Sequence, residues 1–99
     1  MPTIFEYFGL IFKFYSNEHE PIHVHVIKSG CETIFEIIME NGEVKEIRQR
    51  RGMMPPLSEK DAKTACQFVE KYASNIVKKW INFFVLRKTI RKTVVRKKL

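Results

Sequence analysis

Apolar positions change period once along this chain. Through the first half they recur mostly every second residue, and from Ser58 to Phe84 every third or fourth. The first pattern predicts strands and the second a helix. Residues 3–10, with Ile4, Phe5, Tyr7 and Phe8, read as a first strand that Gly9 weakens or ends. Residues 11–15 read as a second, with Phe12 and Phe14 on one face. A polar loop over 16–21 is closed by Pro21, which biases Glu20 toward extended backbone. A third strand follows over 22–28. Ile22, Val24 and Val26 take one of its faces, and His23, His25 and Ile27 take the other. Ser29-Gly30 is a turn, residues 32–39 are a fourth strand, and Asn41-Gly42 is the strongest hairpin signal in the chain. A short fifth strand or turn over 44–48 leads into a basic loop, residues 49–56.

Ser58 is a good helix N-cap, and Asp61 three residues on is an acidic variant of the capping box. Ala62, Ala65, Cys66, Val69, Tyr72, Ala73, Ile76, Val77, Trp80, Ile81 and Phe84 then form an unbroken apolar stripe. The prediction is an α+β fold: a small antiparallel sheet of four to five strands packed against one long C-terminal helix, as a single domain over 1–84. Residues 85–99 change character. Seven of the fifteen are basic and none is acidic, with Leu86, Ile90 and Val94 four residues apart. This basic extension either lengthens the helix as an amphipathic arm or trails from it as a tail.

Composition adds three points. With 44% apolar residues and 12% aromatic, the chain folds. Cys31 and Cys66 lack metal-type spacing and read as buried or half-buried thiols in a reducing cytoplasm. The opening, interrupted by Glu6 and Lys13, does not read as a leader, and no stretch approaches the roughly 18 apolar residues of a membrane span. Charge divides the chain. Residues 1–46 hold three basic and eight acidic residues, a net of −5, whereas residues 47–99 hold fifteen and three, a net of +12. A basic half of this kind suits a polyanion, and nucleic acid is the leading candidate. A solubilising surface is the plainer alternative.

Candidate chemistry gathers at the histidines. His23 and His25 project from one side of an extended strand, roughly 6.5–7 Å apart, with His19 just upstream. Three readings stay open. A divalent metal would use His23 and His25 with His19 as the third ligand, or Glu20 or Glu36 in its place, although the spacing of acids after His25 completes no known motif. General acid–base cleavage of RNA would use His23 and His25, with Arg48, Arg50 or Arg51 stabilising the charged transition state. The third reading is structural, with both rings hydrogen-bonded beneath the 19–21 loop or exposed. On a helix, Arg87, Lys88, Arg91, Lys92 and Arg96 would form a stripe able to follow a phosphate backbone. No helix-turn-helix, zinc-finger or RNA-recognition motif is present, so base reading is unsupported. Phe83, off the main stripe, with Val85 suggests a dimer or partner surface.

Pro2-Thr3-Ile4-Phe5, Phe14-Tyr15, the run Glu20-Pro21-Ile22-His23-Val24-His25-Val26 and a helix ending near Trp80 occur in that order. Together they resemble a small bacterial family catalogued as domain of unknown function 4160, over residues 1–84. The resemblance implies a cytoplasmic bacterial protein, often encoded beside another small protein in an arrangement similar to a toxin–antitoxin module. It implies no reaction, and its histidine pair falls on His23 and His25. The basic 47–56 loop and the 85–99 segment depart from the family pattern, so their roles rest on their own residues. The leading expectation is a nucleic-acid-binding protein, RNA favoured over DNA, with His-dependent cleavage as its chemistry if it has any. The alternatives are a non-enzymatic module that binds an acidic partner protein, and a metal-binding protein. No other cofactor and no membrane partner is expected.

Overall fold

Three two-residue turns organise the sheet in a computed structural model that describes residues 2–15 and 21–99. Phe8-Gly9, Ser29-Gly30 and Asn41-Gly42 each carry two consecutive positive φ values, 44° and 87°, 50° and 78°, and 53° and 79°. That backbone matches the twist of the strands it joins. The turns connect β1 (Thr3–Tyr7) to β2 (Leu10–Lys13), β3 (Ile22–Lys28) to β4 (Cys31–Glu40), and β4 to β5 (Glu43–Arg51). β3 falls where alternation placed it. The first strand stops at Tyr7 instead of running to residue 10, because the apolar Phe8 occupies a turn position and is 58% exposed. The fifth strand includes the expected loop residues 49–51. Arg51, Arg50 and Gln49 pair with Thr33, Ile34 and Phe35, and this partner strand outweighs the local composition.

The strand order is β5-β4-β3-β2-β1-β6, with β6 at Thr93–Val95 lying parallel to β1. The sheet is therefore six-stranded and mixed, not a four- to five-stranded antiparallel one. The same strand corrects the reading of residues 85–99, which neither prolong the helix nor hang from it. Helix α1 (Glu59–Trp80) ends in a π-helical turn at Ile81–Val85, and Arg87 takes a φ of 56°. The chain then returns to the sheet. The open edge of β1 offers unpaired backbone groups that a returning segment can satisfy. Lys79 anchors the return: its Nζ donates to the Ile4 carbonyl (3.0 Å), the Arg91 carbonyl (2.7 Å) and Thr93 Oγ1 (3.0 Å), and sits 4.4 Å from the centre of the Phe5 ring.

The helix starts as expected, with Ser58 Oγ accepting from the Asp61 amide at 3.1 Å. Its buried residues are Ala65, Phe68, Val69, Ala73, Ile76 and Trp80. Phe68 is the centre of the core. Its ring lies 4.4 Å from Phe12, 4.5 Å from Tyr72, 5.1 Å from Tyr7 and 5.3 Å from Phe5. Phe83, expected on a dimer or partner surface, packs against Phe14 and Phe84, while Val85 stays exposed. No helix among the described residues is long and apolar enough to cross a membrane.

Candidate functional site

Side chains paired across neighbouring strands share a face of the sheet. His23 pairs with Glu36, and Glu36 with Arg48; His25 pairs with Lys13 and Ile34, and Ile34 with Arg50. Both histidines thus share a face with Arg48 and Arg50 and alternate with Val24, whose partner Phe35 lies on the other face. Both are buried, at 4% and 6% exposure.

The β3–β4 turn sets the next neighbour. With two residues in the turn, His25 lies opposite Ile34, and Glu32 is one diagonal step away on the same face. Glu32 is 2% exposed. Its Oε2 accepts from the Tyr15 hydroxyl at 2.6 Å and from His25 Nδ1–H at 3.0 Å. The Met53 amide also hydrogen-bonds to this carboxylate. Tyr15 lies flat on His25, with ring centres 3.7 Å apart and planes 8° apart. The loop after β5 closes over the carboxylate so tightly that a Cβ on Gly52 would overlap Glu32 Oε1. The Pro55 carbonyl accepts from the Glu32 amide at 2.8 Å, which fixes the backbone.

Burial pushes the Glu32 carboxyl up. The Tyr15 and His25 hydrogen bonds, the charge His25 carries when protonated and the Met53 amide together outweigh it, and the net shift is down. Glu32 is therefore a carboxylate at neutral pH. An acceptor-only carboxylate fixes the proton of neutral His25 on Nδ1 and leaves Nε2 as its basic nitrogen. His23 is set the same way, its Nδ1 lying 2.8 Å from the Pro21 carbonyl. The His23 ring sits 5.3 Å from His25 and 5.4 Å from Trp80. A histidine oriented by a carboxylate can accept a proton at Nε2 and hold the resulting charge. Among the described residues no group of three or more His, Cys, Asp or Glu is placed to hold a metal ion. His19, the third ligand of the metal reading, and its alternative Glu20 lie outside the described residues.

A model of the family described as Domain of unknown function (DUF4160) matches residues 9–81. The chain belongs to that family. The DUF4160 match is narrower than the resemblance over 1–84: it omits Pro2–Phe5 and ends one residue past Trp80. It contains Tyr15, His23, His25, Glu32, Arg48, Arg50, Arg51 and Gly52, and leaves out all of the basic residues from Arg87 onward. No curated protein and no solved structure matches the chain.

The predicted basic residues do not form one patch. Arg48 pairs with Glu46 at 2.9 Å and Arg50 with Glu36 at 3.0 Å, while Arg51 is exposed at the end of β5. Arg91, Lys92 and Arg96 flank β6 at the other edge of the sheet, and Arg87 and Lys88 lie before them in the turn that closes the helix, where the Lys88 amide donates to the Asn82 carbonyl. Five strand spacings, roughly 24 Å, separate the two edges. At the β6 edge, Lys92 pairs with Glu6 at 3.0 Å.

Sequence reasoning missed Tyr15, Glu32, Gly52 and Lys79. Glu32 was within reach, because a two-residue hairpin at Ser29-Gly30 makes paired positions sum to 59 and puts residue 32 diagonal to His25. Gly52 lies across the Asn41-Gly42 turn from Glu32, but the slip at Lys45 moves the pairing one residue from what a two-residue turn gives; nothing local marks Tyr15 or Lys79, whose partners lie on strands or loops with no turn of known length between.

Proposed function

We propose that this DUF4160 protein binds RNA through phosphate contacts along its β6 edge, as a cytoplasmic component of a bacterial two-gene module of toxin–antitoxin type. One observation carries the reading. Arg87, Lys88, Arg91 and Arg96 are exposed and, among the described residues, none forms an ion pair, whereas Arg48 and Arg50 at the opposite edge are held by carboxylates. Cations without carboxylate partners on a segment anchored to the sheet are available to phosphates. Such contacts give affinity with little base preference. Lys79 and Lys92 belong to the anchoring of the segment.

Fluorescence anisotropy with labelled single-stranded RNA, at several salt concentrations, tests this. Each phosphate contact contributes a slope of about −0.7 in log affinity against log salt. Changing Arg87, Lys88, Arg91 and Arg96 to Gln, with Lys79 and Lys92 kept, is expected to weaken binding and flatten that slope. Unchanged affinity and slope would overturn the assignment. Co-purification with an acidic neighbour-encoded protein, without RNA affinity, would replace it by the partner-binding reading.

The His25–Glu32–Tyr15 arrangement favours a second reading, in which the protein also cleaves the RNA it binds. His25 then acts as general base or acid at Nε2, and Glu32 positions it. His25→Ala is expected to abolish cleavage and leave RNA affinity intact. A wild-type protein that binds RNA without cutting it removes this reading and leaves the first.

A further inference from the structure

Strand β5 is nine residues long and, among the described residues, has a paired strand, β4, on one side only. Every residue from Glu43 to Arg51 is exposed except the half-buried Ile47. An edge of this length presents backbone N–H and C=O groups that another strand can pair. Charged residues commonly discourage such pairing, but here their order favours one partner.

Turn the strand end for end about Ile47. Glu46 then falls opposite Arg48 and Lys45 opposite Gln49, while the slip at Lys45 puts Glu43 and Arg51, which pair with Glu40 and Thr33, on different faces. In a symmetric pair each match occurs twice, so two Glu46–Arg48 pairs form and no like charges meet. A twofold axis through the sheet requires one residue opposite itself, so only residue-centred alignments qualify. Centring on Lys45, Glu46 or Arg48 sets that charge against its own copy, and centring on Gln49 sets Arg48 against Arg50. Parallel, in-register pairing opposes every charge to itself.

The geometry within one copy suits this alignment. Arg48 already donates to Glu46 on the same face, through Nε at 2.9 Å and Nη2 at 3.3 Å. Two such pairs across the axis make a ring of alternating charge. On the other face the partly apolar position, Ile47, meets its own copy. The register slip opposite Ile38/Met39 falls at Lys45, clear of the central residues 46–48.

We infer that β5 pairs antiparallel with β5 of a second copy of this chain, centred on Ile47, so that two six-stranded sheets join into one across a twofold axis. The β6 edges lie at the two far ends of the joined sheet, so the RNA-edge variants above leave this association unchanged.

Sedimentation equilibrium up to about 1 mM protein measures it directly. Wild type is expected to dimerise. Glu46→Arg alone and Arg48→Glu alone each place like charges opposite one another, and each is expected to weaken dimerisation roughly tenfold or more. The double exchange, Glu46→Arg with Arg48→Glu, restores every pair and is expected to restore the dimer. Mixing the two single variants is expected to give a one-to-one heterodimer, since one then carries Arg at both positions and the other Glu. The heterodimer also shows that the weakened variants are folded. A monomeric wild type overturns the inference, as do single variants that dimerise like wild type or a double exchange that stays as weak as the singles.

Discussion

On the helix side of the sheet, Phe12, Phe35 and Val24 are fully buried against an apolar helix stripe. On the opposite side His23, His25 and Glu32 are nearly as deeply buried, yet their contacts are hydrogen bonds and stacked rings. The first face is held by apolar area and shape, which tolerate small errors in proportion to the volume changed. The second depends on completeness. Among the described residues no buried side-chain nitrogen or oxygen lacks a partner, and removing one member strands the others, a cost greater than the net worth of any single bond. One face therefore reports on folding, while the other couples folding to protonation.

The largest expected effect is on the helix face. Phe68→Ala empties the centre of the aromatic cluster and is expected to cost about 3–5 kcal/mol. Urea denaturation would show it as a lower midpoint at unchanged slope. A loss below about 1 kcal/mol would mean that the ring is not the packing centre.

On the polar face, Glu32→Gln takes the charged acceptor from Tyr15, His25 and the Met53 amide, with an expected cost of about 1–3 kcal/mol at neutral pH. Its pH dependence separates the faces. The folded Glu32 carboxyl lies below its ordinary value, so its stabilisation is complete above the unfolded carboxylate range and disappears as pH falls through the folded value. The stability gap between wild type and Glu32→Gln should narrow on acidification, whereas the Phe68→Ala gap should not. A pH-independent Glu32→Gln gap would contradict an ionised Glu32 held by its partners.

Gly52→Ala acts on the same carboxylate without touching it chemically. The added methyl overlaps Oε1, and the expected loss is about 1–2 kcal/mol. Combined with Glu32→Ala, which opens space there, the loss from Gly52→Ala should shrink; strict additivity would show that the two residues do not meet. The smallest effect belongs to the rim. Arg50→Ala breaks an ion pair whose arginine side chain is 49% exposed, and less than about 1 kcal/mol should be lost.

The candidate site was legible in part. Alternation placed His23 and His25 on one face; that Arg48 and Arg50 share it, instead of lying in an adjoining loop, follows only from the β4–β5 register. Of the partners that give His25 its chemistry, Glu32 was within reach through the Ser29-Gly30 turn, but Tyr15 was not, because it reaches His25 from beyond the end of β2 with no turn of known length between. The basic residues were seen as chemistry but not as geography: their assignment to opposite edges follows from strand order, which no local pattern encodes.

What the chain determined by itself was local. Turn dipeptides at Ser29-Gly30 and Asn41-Gly42, the span of β3 and the Ser58 cap all depend on backbone preferences or hydrogen bonds reaching a few residues. Membership of the α+β class follows from the same period-two and helical patterns. Tertiary structure decided the rest. Residues 93–95 become a strand because β1 leaves an open edge and Lys79 holds the returning chain. Glu32 becomes a buried carboxylate because Tyr15, His25 and the 52–53 backbone converge on it. Each of these outcomes depends on a partner remote in sequence, whose position exists only once the sheet has assembled.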